Sequence, residues 1–364
     1  MRIAYLGQMA DVATENGISK KIRDQGRAWI DAGNEVRYFS LTPATRIWPG
    51  LAPLEAEIVS RGGFMRRATR SIQLANAVRA WRPDLIYFRY AYHSPGFPRL
   101  FREIPTIAEI NSDDLTEYPL TLSWMKCTYH RLTRALVLRA CVAFVTVTHE
   151  LARRFSGFAK PTAVVANGID FAEIAPVQPL SGTDPLRLVF VGNTGSPWHG
   201  LARLADLAQM IPGAEIDVVG CTETDWQIAT ATRAIPAGLH FHGMLPQSEY
   251  APLVRQATAA IGTLGLFQKQ MEEACPLKVR EYLAFGLPVI GGYADTDIPE
   301  SADYFLQLPN SDVSLEQHRQ RLQNFLAGWR TRRVPRAAVA HLDATVKERR
   351  RLEFLRQFVR AGAS

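Results

Sequence analysis

Two doubly wound α/β domains are the fold this sequence predicts, on three observations. Short β-branched runs alternate with longer amphipathic stretches, the series restarts after an interval rich in Pro, Gly and Ser, and the chain is 364 residues long. Strand–helix alternation implies a mostly parallel sheet with helices on both faces. A chain well above ~250 residues divides into more than one core.

From the N-terminus, RIAYLG reads as a strand, and GISKKIRDQGRAWIDAG as a helix ended by glycine. EVRYFS is the next strand, and RRATRSIQLANAVRAWRP is a helix stopped by Pro83, ahead of the strand DLIYFRY. PTIAEI, VAFVTV and TAVVA complete the first series, with a helix over 122–140 between the first two. Residues 171–185, FAEIAPVQPLSGTDP, have the composition of a linker. The second series is LRLVFVG, a helix near 198–210, EIDVVG, LHFHG, AAIGTL and PVIGG. VKERRRLEFLRQFV then reads as a charged amphipathic helix. The expected domains are 1–170 and 186–340, with a 341–364 helical tail packing back across them. No sequence repeat relates the halves. Two such domains face across a cleft at the carboxyl ends of their sheets, where ligands of these folds bind.

Composition narrows the function classes. The chain is 47% hydrophobic and 21% charged, as ordinary globular proteins are. No apolar run approaches the roughly 18 residues needed to cross a bilayer. The start, MRIAYLGQMADVATENG, lacks a small-residue cleavage pattern, so a cytoplasmic location is expected. Cys127, Cys141, Cys221 and Cys275 are scattered, which argues against a zinc site or a disulfide framework. Residues 1–180 carry 23 Lys+Arg against 16 Asp+Glu and the remainder 19 against 19, so the whole net charge of +7 lies in the N-terminal half. That bias suits an anionic surface, either lipid headgroups on the inner face of a membrane or a phosphate-bearing substrate. GGFMRRATR, residues 62–70, is the candidate membrane segment, with Arg66, Arg67 and Arg70 beside Phe64 and Met65. Nucleic acid is excluded as a partner, because no helix-turn-helix signature, zinc-finger spacing or aromatic RNA-binding motif is present.

The stretch EEACPLKVREYLAFGLPVIGG, residues 272–292, carries most of the chemistry. Pro276 suits a helix first turn and Gly286 its C-terminal stop before an apolar strand. Glu281 then sits about one turn into a helix whose N-terminus offers free N–H groups and partial positive charge to a diphosphate. A glutamate there can accept both hydroxyls of a ribose. Glu273 lies eight positions earlier, on the entering loop. With 19 glutamates, roughly one such pair arises by chance, so the helix and strand around it carry the weight. Asp295-Thr296-Asp297 has the form of a metal-binding DxD, of which about 0.7 are expected at random, and its place after PVIGG suits a polar loop better. His93 and Asn111, each just after a strand end of the first domain, are candidates to touch donor or acceptor, with Glu117 a weaker one. His149, His240 and His242 read as structural.

In this context the sequence resembles the family 4 glycosyltransferases of the GT-B fold. EYLAFGLPVI matches the family's "E-Y-x-A-x-G-x-P-V-I" run, VVANGID its "PNGID" turn and DAGNEV its "GHEV", while LVFVGNTGSPWHGL is similar to its "VGRL…KG" loop. The resemblance spans most of residues 1–310 and implies a retaining, metal-independent transfer from a nucleotide-sugar donor. No resident cofactor is implied. The acceptor would be a glycan or a lipid-linked oligosaccharide of bacterial polysaccharide or lipopolysaccharide biosynthesis; a non-catalytic nucleotide-sugar or glycan binder of the same fold is the alternative. Glu281 would bind the ribose and Glu273 the transferred sugar or its departing oxygen. Gly192, Gly195 and Gly200 would shape the loop under the diphosphate, with Gly17 and Leu277 completing the donor-binding set. Where the family carries Arg and Lys against the diphosphate, this chain has Asn193 and His199, and where it often has a histidine, Asn111. Lys278 and Lys269 are the substitute cations, and His199 a third if protonated. Lys278, Glu273, His93 and Asn111 form the catalytic set of this reading.

Overall fold

A computed structural model describes residues 1–8, 14–44, 46–60 and 64–359. The chain divides into two compact units, Met1–Gly168 with Ala344–Ser364, and Ile169–Asp343.

The first unit is built from β1 (Arg2–Gly7), α1 (Gly17–Asp31), β2 (Glu35–Thr42), β3 (Glu55–Ser60), α2 (Phe64–Trp81), β4 (Leu85–Arg89), α3 (Phe97–Glu103), β5 (Thr106–Ile110), α4 (Asp114–Thr121), α5 (Trp124–Ala140), β6 (Ala143–Thr146), α6 (His149–Phe155) and β7 (Thr162–Val164). Its seven strands lie in the order β3-β2-β1-β4-β5-β6-β7, and every pair is parallel. β4 and β5 are buried along their whole length, as central strands covered on both faces must be. β3 has no counterpart in the strands read from the sequence. It is an edge strand whose EAEIVS alternates polar and apolar, and its apolar signal is weak. α1 begins where Asn16 and Ser19 form a reciprocal capping box. One side of the sheet packs Tyr5, Trp29 and Tyr87 together, with ring centroids 5.6 and 5.0 Å apart for Tyr5–Trp29 and Trp29–Tyr87.

The second unit holds β8 (Arg187–Val191), α7 (Leu204–Met210), β9 (Glu215–Val219), α8 (Glu223–Thr230), β10 (Leu239–Gly243), α9 (Gln247–Gln256), β11 (Ala259–Ile261), β12 (Glu273–Ala274), α10 (Leu277–Phe285), β13 (Val289–Gly291), β14 (Ala294–Asp295), β15 (Phe305–Gln307), α11 (Arg319–Trp329) and α12 (Arg336–Val339). Six strands form a parallel sheet ordered β10-β9-β8-β11-β13-β15, and β12 pairs with β14 apart from it. The helix expected near 198–210 is two 3-10 turns followed by the shorter α7. Residues 171–185 lie in this unit and are held to it by arginines. Arg336 donates to the carbonyls of Phe171 and Ile174, Arg333 to that of Gln178, and Arg330 to those of Gly182 and Asp184.

α13 (Ala344–Arg356) returns to the first unit and packs on α1. Trp29 Nε1 donates to Glu348 Oε2 at 2.8 Å, and Arg351, fully buried, pairs with Glu348 and lies 3.8 Å from Glu109. No helix among the described residues is long and apolar enough to cross a membrane.

Candidate functional site

In the second unit the sheet order reverses direction between β8 and β11, the position where open α/β sheets receive ligands. The loops leaving these two strands are joined by backbone bonds, Leu264 N–H to His199 O at 3.2 Å and Gly265 N–H to Trp198 O at 3.1 Å. Gly200, at φ +80°, permits this approach, since a Cβ there would stand 2.7 Å from Gly265 N. α10 starts after Pro276 with no side chain capping its first turn. Its N–H groups and dipole are therefore available to an anion. It ends at Gly286, at φ +90°, as the sequence predicts.

Lys278 in the first turn of α10 donates to Val191 O at 3.0 Å, and its Nζ lies 4.5 Å from the Phe190 ring. Lys269 is buried with its Nζ 4.6 Å from the Trp198 ring. Burial pushes the Lys278 ammonium down to about 7, with Cys221 opposing weakly. Burial, followed by the fields of Lys278 and Lys269, holds the His199 imidazole well below its ordinary range. His199, a candidate cation only if protonated, is thereby held toward its neutral form, and its Nδ1 is buried without a hydrogen-bond partner. Positive charge in this region comes from the two lysines. Asn193 and Gly195 are exposed, and Gly192 is bonded through its N–H to Val219 O at 2.8 Å. Leu277, half-buried, opens α10.

Glu281 is held from α9. Gln247 Nε2 donates to its Oε1 at 2.6 Å and Tyr250 OH at 2.7 Å. Neither partner was singled out from the sequence, although their spacing of three places them on one helical face. Tyr282 locks the same helix to β8 by accepting the Val191 N–H at 2.8 Å. Glu273 stands half-buried on β12, whose partner β14 carries Asp295. The Asp295 carboxylate receives both ends of the buried Arg280 guanidinium at 2.5 and 2.7 Å, and Asp297 lies 3.7 Å from it. The DxD-like triplet is thus an ion-paired turn.

His93, Asn111 and Gly17 belong to the first unit. His93 is buried, its Nδ1 2.7 Å from Tyr129 OH, and burial together with Arg67 lowers its pKa. Asn111 accepts from Lys21 at 2.8 Å and donates to Glu109 Oε2 at 3.1 Å. Gly17 opens α1, the helix that carries Lys21. Glu109 is fully buried among Lys21 at 2.8 Å, Arg89 at 3.2 Å and Arg351. These cations overcome its burial and keep it far below the usual carboxylate range, while burial pulls Lys21 down to about 8. Glu117, half-buried on α4, has no assigned part. In the 62–70 segment, residues 62 and 63 and the side chains of Phe64 and Met65 lie outside the described residues. Arg67 turns inward to Gln8 at 2.7 Å and Ser94 at 3.2 Å, so it is not a lipid-facing cation. His240 and His242 face Glu215 and Asp217 across the sheet.

The two parallel-sheet units are those of a GT-B protein. Residues 16–173 match the sequence model of Glycosyltransferase Family 4, and the chain resembles that family. Its fold is similar to that of the lipopolysaccharide outer core galactosyltransferase WaaB, with TM-score 0.68, 12% identity, and coverage of 98% of this chain and 99% of that one. Anabaena HepE in complex with UDP-glucose gives TM-score 0.68 and 15% identity, over 98% of this chain and 100% of HepE. WaaG, a glycosyltransferase involved in lipopolysaccharide biosynthesis, gives 0.65 and 12%, over 97% and 99%. At such identities the likeness is one of fold. No curated protein sequence matches the chain.

Proposed function

We propose that the chain is a retaining, metal-independent glycosyltransferase that moves a hexose from a nucleotide diphosphate sugar to a glycan or lipid-linked acceptor. The observation that carries this reading is Glu281, oriented by Tyr250 and Gln247 beside the uncapped start of a helix bearing Lys278. Glu281 binds the ribose, the helix N-terminus and Lys278 hold the diphosphate, and Glu273 faces the sugar. As the sugar–phosphate bond breaks, its electron pair goes to the diphosphate, where positive charge lowers the barrier most. The acceptor oxygen bonds to the anomeric carbon on the same face, and its proton passes to the departing phosphate. His93 and Asn111 serve the acceptor or the sugar.

HepE is described in complex with UDP-glucose, so UDP-sugars are the first donors to try. Thermal-shift and hydrolysis assays of common nucleotide sugars, with and without EDTA, test the reading alongside Glu281→Ala. A donor that stabilises the wild type and is slowly consumed in EDTA, with both effects weakened in the variant, supports it. No binding by any nucleotide sugar, or no effect of Glu281→Ala, refutes the site. The neutral His199 and the uncharged Asn193 favour one second reading, a non-catalytic binder, which predicts binding without turnover for every acceptor.

A further inference from the structure

Glu273 and Glu281 are carried on different supports. Glu281 stands on α10, which Tyr282 and Lys278 fasten to the end of β8. Glu273 stands on β12, a two-residue strand that pairs with β14 outside the main sheet. That pairing is parallel, with Glu273 level with Ala294 and Ala274 level with Asp295. Two backbone bonds join the ribbon, Ala294 N–H to Glu272 O at 2.9 Å and Thr296 N–H to Ala274 O at 3.4 Å. A two-stranded ribbon this short has little stability of its own, so its position is set by the side chains that grip it.

The main grip is ionic. Arg280 of α10 is fully buried, and its guanidinium meets both oxygens of Asp295 on β14 at 2.5 and 2.7 Å, with Asp297 3.7 Å away. A planar two-bond fork fixes orientation as well as distance. Asp295 is buried, whereas Glu273 is half-buried. Successive side chains of a strand alternate between faces, so the fork pins the inward face of the ribbon and Glu273 lies on the other. Asn310 holds the chain just ahead of β12, its Nδ2 donating to Met271 O and Glu272 Oε2, each at 2.8 Å. Arg280 and Glu281 are neighbours in α10, about 100° apart around the helix axis. One helix thus aims Glu281 at α9 and, from the next position, anchors the ribbon that carries Glu273. For stability alone an apolar pair of similar volume would serve as well as buried charges. What it could not supply is the fixed register of the fork.

We infer that Arg280 and Asp295 are positioning residues that set where Glu273 stands relative to Glu281, and so present it to the transferred sugar. The inference rests on the roles proposed for the two glutamates and adds how their placement is maintained. Arg280→Met/Asp295→Leu removes both charges together and strands neither, so the fold is expected to persist. UDP should bind this variant as it binds wild type, because Glu281 and Lys278 keep their supports. Turnover of UDP-glucose, the probe donor, should fall about 10- to 100-fold, the loss expected from a misplacement near 1 Å. Glu273→Gln should lose turnover to a similar degree. Glu273→Gln/Arg280→Met/Asp295→Leu should lose no more than either, since a pair that acts through Glu273 is not additive with it. Arg280→Lys keeps the charge without the fork and should fall between wild type and the double variant. Asn310→Ala loosens the ribbon from its other end and should show the same split between UDP affinity and turnover, which keeps the test open if the double variant misfolds. Hydrogen exchange on the protein without donor reads the clasp directly. The Ala294 and Thr296 amides should exchange at least about tenfold faster in the double variant, while those in the second half of α10 should not. Additive losses in the triple variant, weakened UDP binding equal to the loss of turnover, or unchanged exchange at the ribbon would overturn the proposal. If wild type binds neither UDP nor UDP-glucose while the ribbon amides still respond, the donor reading has failed and the sugar-presenting role of Glu273 falls with it. Unchanged exchange with donor binding intact marks failure of this inference alone.

Discussion

Lys278 Nζ donates a 3.0 Å hydrogen bond to the carbonyl of Val191, tying the first turn of α10 to the end of β8. One ammonium thus joins the helix start to the strand end at the switch of the sheet. Lys278→Met should weaken donor binding about 10- to 100-fold, the range expected for a charge-assisted hydrogen bond of 1.5–3 kcal/mol. Because burial disfavours the charge, the same variant should melt no lower than wild type. Calorimetric affinity and a melting curve on one preparation check both halves.

Donor binding should take up a proton. Free Lys278 is close to half charged at pH 7, since its pKa is lowered to about 7, and a bound diphosphate raises it again. Affinity is therefore expected to fall as pH rises above 7 and to level off well below it. Titrations in two buffers of different ionisation enthalpy at pH 7 should report an uptake near half a proton, which Lys278→Met abolishes.

Tyr250→Phe removes one of the two donors that aim Glu281. Several-fold weaker donor binding is expected, from a neutral-to-charged hydrogen bond in a half-buried setting. Its kcat should change less than its KM, because the ribose contact is made equally in ground and transition states. A kcat loss equal to the KM effect would place Glu281 nearer the reacting centre.

Asp295→Asn leaves the fully buried Arg280 without its bidentate partner. A loss of about 3–5 kcal/mol follows for a broken buried pair. At roughly 2–4 °C per kcal/mol the melting temperature should drop by about ten degrees. Differential scanning calorimetry reads it directly.

Glu109→Gln should destabilise the first unit by a similar ~3–5 kcal/mol, since Lys21, Arg89 and Arg351 would lose their common counter-charge. The folded carboxyl titrates far below its unfolded value, so its contribution is complete above about pH 4.5 and declines as pH falls below that. Urea unfolding at pH 7 and pH 4 should show a smaller difference between variant and wild type at the lower pH.

Much of the fold was readable because its central strands are predominantly apolar. LIYFR and TIAEI announce burial on both faces, and Pro276 and Gly286 mark the ends of α10 through backbone rules alone. β3 escaped because EAEIVS is only half apolar, and β12, β14 and β15 are two or three residues long. Glu281 could be placed from its helix context, but Tyr250 and Gln247 could not, lying 31 and 34 residues away along the chain.

The sequence by itself determined the two α/β series, the helix that presents Glu281 and Lys278, and the basic first half. Those features depend on local spacing, which the backbone converts directly into strands, turns and faces. Only the tertiary structure decided the charge on His199, the inward turn of Arg67, the entry of Glu348 and Arg351 into the first core, and the pairing of Arg280 with Asp295. Each of these depends on which distant groups are brought within a few ångströms in a medium that excludes water, and chain order does not record that.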